Sequence, residues 1–166
     1  MIKIRDIREE ELDSVGALLK EAYQGYAHLM PVEAWKEYAQ DIMDVRARFD
    51  KSDQIVAEVD GHLAGSVTLY LKSTESVEWP AGWAGIRLLG VSPRFRGLGV
   101  GRALMDECVR RCREKGIKTI GLHTTTAMDV ARRMYERMGF VREPKLDFHP
   151  REDIVVMAYR LDLPLP

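Results

Sequence analysis

The stretch VSPRFRGLGVGRAL, Val91 to Leu104, sets glycines at 97, 99 and 101, places Arg94, Arg96 and Arg102 around them, and runs straight into a helical pattern. Glycine has no Cβ, so a backbone built this way can curl and let a ligand approach its N–H groups. The first N–H groups of the following helix lack intrahelical partners and lie at the positive end of its dipole. A phosphate or pyrophosphate suits that combination. Two familiar phosphate loops do not: a P-loop needs Lys and then Ser or Thr after its last glycine, where this chain has Arg102 and Ala103. A dinucleotide fingerprint needs G-x-G-x-x-G, whereas the spacing here is G-x-G-x-G with no acidic residue in position on the following strand.

Outward from the loop, the chain of 166 residues is about one domain long, and 46% hydrophobic against 31% charged residues is ordinary for a globular unit. A single domain over residues 1–166 is the expectation. The net charge of −1 gives no broad electrostatic footprint for nucleic acid or an anionic membrane, so an anion site has to be local. No apolar run approaches the roughly 20 residues that span a bilayer, and the charged start MIKIRDIREEEL is unlike a signal peptide. A cytoplasmic protein is expected. Cys108 and Cys112 stand four apart in one helical segment with no second Cys or His pair, which reads as two packed thiols and predicts no metal site.

IKIRDI alternates as a short strand, and EEELDSVGALLKEAY sets Leu12, Val15, Leu18, Leu19 and Ala22 at helical spacing. Pro31 opens a second helix predicted through VEAWKEYAQDIMDVRARF, with Trp35, Tyr38 and Ile42 on one side. DQIVAEV and HLAGSVTLYLK flank Asp60-Gly61 as a tight hairpin. AGIRLLGV is the strand entering the glycine loop, and GRALMDECVRRCREK the helix leaving it, stopped near Gly116. Strand IKTIGLHT, helix AMDVARRMYERM, and strands FVREPKLDF and DIVVMAYRLDL close the chain. The order predicts a mixed α/β (α+β) fold with a mostly antiparallel, twisted sheet of about seven strands flanked by about four helices.

The pattern Arg96-x-x-Gly99-x-Gly101, after a strand ending LLGVSP and before an amphipathic helix, resembles the acyl-coenzyme A loop of the GNAT superfamily of N-acetyltransferases. DVARRMYERMGF, residues 129–140, is similar to that family's later helix, where a tyrosine shortly precedes Gly-Phe. The resemblance implies acetyl-CoA (coenzyme A) as cofactor, with the backbone from Leu89 through Gly90 to Val91 meeting the pantetheine arm. Residues Arg96, Gly97, Leu98, Gly99, Val100, Gly101 and Arg102 would hold the pyrophosphate, and Arg94 either meets the additional phosphate or is a solvated loop arginine.

Acetyl transfer from a thioester to an amine by direct attack in a ternary complex needs a neutral nucleophile, a donor for the developing oxyanion and a proton for the departing thiolate. By resemblance, the Val91 N–H would face the thioester carbonyl, and Tyr135 would lie near the sulfur as general acid. The alternative for Tyr135 is a packed helix aromatic. Some relatives place a glutamate twelve positions before that tyrosine; here the position is His123, able to act as base or simply to bond a neighbour. Glu78 and His149 are reserves. The family's asparagine seven positions before the tyrosine is Met128 in this chain, with Thr125 and Thr126 as possible substitutes or as helix N-caps.

The segment between the first two helices usually helps to wall the acceptor site in this family. Tyr26, His28 and Trp35 lie there, and Trp83 precedes the strand into the glycine loop, so a small, partly apolar amine is the expected acceptor. A protein or peptide acceptor, and a non-catalytic acyl-CoA-binding sensor, are the two other readings. A homodimer is possible if the strand DIVVMAYRL leaves an open edge.

Overall fold

The computed structural model describes residues 1–72, 79–152 and 154–164. In chain order the elements are β1 (Ile2–Asp6), α1 (Leu12–Tyr23), α2 (Val32–Met43), α3 (Val45–Phe49), β2 (Asp53–Val59), β3 (His62–Tyr70) and β4 (Ala84–Val91). There follow α4 (Val100–Glu114), β5 (Thr119–Thr124), α5 (Asp129–Arg137), β6 (Val141–Arg142), β7 (Phe148–Arg151) and β8 (Ile154–Asp162). The hydrogen-bonded strand order is β1-β2-β3-β4-β5-β8-β6, with β7 also pairing β8. This is the mixed, mostly antiparallel α/β sheet that the sequence predicts.

The described residues hold eight strands and five helices, one more of each than the sequence suggests, and both differences have local causes. Asp44 leaves helical geometry at φ −81 and ψ 65, and its carboxylate accepts the Ala47 N–H at 3.1 Å, so a new helix begins there. Near the C-terminus, Pro144 opens a 3₁₀ turn over Pro144–Leu146 that ends β6 after Arg142, and a second strand, β7, starts at Phe148, the last residue of FVREPKLDF.

The chain forms two compact units. The first comprises Met1–Leu69 and Leu88–Glu107. In it β1 pairs antiparallel with β2, and β2 with β3 through the two-residue turn at Asp60 (φ 49) and Gly61 (φ 81). Helix α1 buries Leu12, Val15, Leu18 and Leu19 as its spacing predicts, each side chain contributing roughly 1.5–3 kcal/mol by leaving water. Helix α2 buries Ala39 and Ile42, while Trp35 and Tyr38 are only half-buried.

The second unit comprises Tyr70–Arg87 and Cys108–Pro166. The start of β4 runs parallel to β5 over Ala84–Ile86 and Ile120–Leu122, and β5 pairs antiparallel with β8 from Thr119↔Asp162 to Thr124↔Met157. On its other side β8 meets β6 and β7. The open edge anticipated at DIVVMAYRL is therefore covered, because the β6 and β7 segments fold back onto it. Both cysteines are buried, as expected of packed thiols.

Candidate functional site

Strand β4 changes character halfway. Its register with β5 ends at Ile86, and Leu88 takes a left-handed φ of 55, a conformation that costs a side-chain-bearing residue energy. Beyond it, the Gly90 carbonyl lies against Gly65 of β3, and the Ser92 N–H donates to the Ala64 carbonyl at 2.8 Å. Successive strand residues turn their amides to opposite edges, so Leu89 and Val91 direct theirs away from β3. That these two residues offer backbone groups to an extended ligand is what the family resemblance implies.

Gly90 itself faces α1. A Cβ at this position would sit 2.9 Å from Leu19 Cδ2 and 3.2 Å from Ala22 Cβ, so the bare backbone is what lets α1 press onto the strand.

The glycine loop follows a 3₁₀ turn at Pro93–Phe95. Gly97 and Gly99 hold φ 80 and φ 87, in the left-handed region, and among the described residues no atom beyond their chain neighbours lies within 4 Å of where their Cβ atoms would be. Helix α4 starts at the next residue, Val100, and its first hydrogen bond runs from the Ala103 N–H to the Gly99 carbonyl at 3.0 Å. The amides of Val100, Gly101 and Arg102 precede that bond and belong to the unpaired first turn. Open space over two curled glycines, beside a helix start, fits a pyrophosphate.

The three loop arginines make contacts within their own unit. The Arg96 Nη2 donates to the Ala22 carbonyl at 3.0 Å, the Arg102 Nε to Asp106 Oδ1 at 3.0 Å, and the Arg94 guanidinium lies 5.4 Å from the Phe95 ring centre. Each guanidinium has five N–H donors, so these contacts leave positive charge at the loop while the backbone supplies the cradle. Leu98 is 56% exposed at the tip.

Of the residues expected to wall an acceptor site, Tyr26 lies in a 3₁₀ segment with its ring 6.1 Å from Tyr23, and Trp35 of α2 lies 6.2 Å from Tyr38. His28 is exposed on the same segment as Tyr26. Tyr23, an aromatic of the same segment that suggests an acceptor wall, is instead buried, and its hydroxyl donates to the Leu89 carbonyl at 2.8 Å. A pairing across 66 positions leaves no local sequence signal.

In the second unit, Tyr135 lies on α5, 7% exposed, with its ring 5.9 Å from Phe140. His123 on β5 is half-buried in a stack of rings: Trp79 lies parallel at 4.4 Å, Trp83 stacks on Trp79 at 5.6 Å, and Phe148 meets His123 edge-on at 4.9 Å. Trp79 can lie flat because Gly121 is beneath it; a Cβ there would come within 2.6 Å of the indole. The His123 Nε2 lies 3.0 Å from the Leu146 carbonyl, and a carbonyl only accepts, so that nitrogen carries a proton. Nδ1 then bears the lone pair in the neutral ring.

The turn supplying Leu146 is clamped. Arg142 grips both Asp147 oxygens at 2.7 Å, and Asp147 Oδ1 also accepts the Ala158 N–H at 2.7 Å. The Arg142 guanidinium, with help from that amide, holds the Asp147 carboxyl down at about 2. Ala158 stands opposite His123 in the β5–β8 register, so the clamp and the histidine share a backbone neighbour.

Met128 is the N-cap residue of α5 and makes no side-chain cap, so neither Thr125 nor Thr126 serves as the N-cap that their position suggested. The neighbouring Thr124 hydroxyl is buried with no hydrogen-bond partner among the described residues. His149 is exposed on β7, and Glu78 lies outside the described residues.

A mixed sheet whose fourth strand ends its register with β5 at Ile86 feeds a glycine loop at a helix start. The profile of the acetyltransferase (GNAT) family matches residues 12–140, and the chain belongs to that family. The mycothiol acetyltransferase of Cellulomonas flavigena is 38% identical over 109 residues, covering 60% of this chain and 31% of that protein. Its namesake from Propionibacterium freudenreichii is 29% identical over 142 residues, covering 84% of this chain and 43% of that protein. The chain thus spans less than half the length of these curated relatives. Among solved structures, the PaiA N-acetyltransferase of Thermoplasma acidophilum, in complex with coenzyme A, shares the fold with a TM-score of 0.74 at 20% identity, over 95% of this chain and 98% of that one.

Proposed function

We propose that this chain is an acetyl-CoA-dependent N-acetyltransferase acting on a primary amine of a small molecule, by direct attack in a ternary complex. The observation that carries the reading is the loop: Gly97 and Gly99 in left-handed geometry, with open space above them and α4 starting at Val100. The backbone amides from Gly97 to Arg102 hold the pyrophosphate, and Arg94 meets the additional phosphate from an exposed position. The Leu89–Val91 edge binds the pantetheine arm. When bound, acetyl-CoA supplies an acetyl group activated as a thioester.

The chain's own residues then do three things. The Val91 N–H donates to the carbonyl oxygen where negative charge develops. Tyr135, a phenol with a reference pKa of about 10, gives a proton to the leaving sulfur. His123 takes the amine proton at Nδ1, since its Nε2 is committed to the Leu146 carbonyl. Tyr26, His28, Trp35 and Trp83 contribute to the acceptor wall. The name of the curated relatives favours a small-molecule acceptor over a peptide.

The test is an acetylation screen pairing a panel of small amines with a panel of peptides, repeated with Tyr135→Phe. Transfer to small amines that collapses in the variant supports the reading. Transfer to peptides alone moves the acceptor to protein termini or lysines, and binding of acetyl-CoA with no transfer to either panel leaves a sensor.

A further inference from the structure

The last turn of α1 touches the expected cofactor segment at successive residues. Glu21 Oε1 accepts from the Ser92 hydroxyl at 3.3 Å, the Ala22 carbonyl accepts from Arg96, and the Tyr23 hydroxyl donates to the Leu89 carbonyl. Between these contacts Gly90 lies against Leu19 and Ala22. The Tyr23 bond is singular because of where it lands. The Ser92 N–H is bonded to the Ala64 carbonyl of β3, and strand alternation turns the Leu89 carbonyl to the opposite edge. The peptide joining Leu89 to Gly90 directly follows the irregularity at Leu88, φ 55, where the strand leaves regular geometry and a side-chain bond adds a restraint the ladder does not supply.

We infer that Tyr23 is a positioning residue for the pantetheine arm: its buried hydroxyl fixes the Leu89–Gly90 peptide, and with it the edge that Leu89 and Val91 present. This rests on the reading of that edge as the pantetheine site. The Leu89 carbonyl has two lone pairs, so it accepts from Tyr23 and still offers one to an amide of the ligand. Without the hydroxyl, the Leu89 carbonyl loses this restraint beside the irregularity at Leu88, and the edge is less well ordered before the arm binds. The nucleotide end of the cofactor, held by the glycine loop, does not depend on this peptide.

The experiment compares two ligands on the whole chain. Wild type and Tyr23→Phe are titrated calorimetrically with CoA and with 3′-phospho-ADP, which has the phosphates and base but no pantetheine. The expected result is a rise of about tenfold in the Kd for CoA, equivalent to ~1.4 kcal/mol, with the Kd for 3′-phospho-ADP within about twofold of wild type. CoA affinity that does not change, or equal weakening of both ligands, overturns the inference, since a merely structural tyrosine weakens both alike. A wild-type chain that binds neither ligand overturns the pantetheine reading together with this one, an outcome distinct from the first two. Should the variant fail to fold, wild type labelled with ¹³C at the tyrosine ζ carbon answers the same question. The Tyr23 signal should shift with CoA and not with 3′-phospho-ADP, and a signal indifferent to CoA overturns the inference.

Discussion

Tyr135 and His123 stand on different elements of the second unit, and different surroundings give them different expected sensitivities. Tyr135 is buried beside Phe140, so Tyr135→Phe keeps the packing and removes only the hydroxyl. If Tyr135 is the proton donor, the substitution lowers kcat by about 10²-fold and leaves the KM for acetyl-CoA unchanged in steady-state assays. His123 is held between rings, so His123→Ala also opens a gap beneath Trp79; His123→Gln is the cleaner probe of its chemistry. The loop glycines were legible in the sequence because curled backbone beside a helix start is local chemistry. The partners of Tyr23 and His123 were not, since Leu89 and Leu146 lie 66 and 23 positions away.

Between elements, two contacts make sharp predictions. Gly16 lies inside α1, where replacing an exposed glycine by alanine normally stabilises by up to about 1 kcal/mol. Here a Cβ would sit 2.5 Å from the Met43 carbonyl oxygen at the end of α2, and backbone cannot swing aside as a side chain can. Gly16→Ala should therefore destabilise by about 1–3 kcal/mol in urea unfolding, the opposite sign.

The second contact is the Arg142–Asp147 clamp. The Asp147 carboxyl is depressed from 3.8 to about 2, so its contribution is fully present above the unfolded value and is lost as pH falls through about 2. At pH 7, Asp147→Asn should cost on the order of 1–2 kcal/mol, discounted because Arg142 is partly solvated, and the difference from wild type should vanish in strong acid. The hairpin at Asp60-Gly61 was readable from two residues. The division of the second helix was not, because Asp44 sits in an unbroken helical pattern and acts only by capping Ala47.

For the whole molecule, the strand and helix order follows from hydrophobic periodicity, while the covered edge of β8 follows from a proline turn that periodicity does not register. The central claim is that the glycine loop cradles an acyl-CoA, and thermal unfolding with acetyl-CoA, CoA and NADH side by side tests it most directly. A ligand that binds only the folded chain at one hundred times its Kd adds about 2.7 kcal/mol, enough to raise Tm by several degrees. Tm is expected to rise in this way with acetyl-CoA and with CoA, and not with NADH. A Tm unmoved by either CoA species at saturating concentration, or moved equally by NADH, contradicts it.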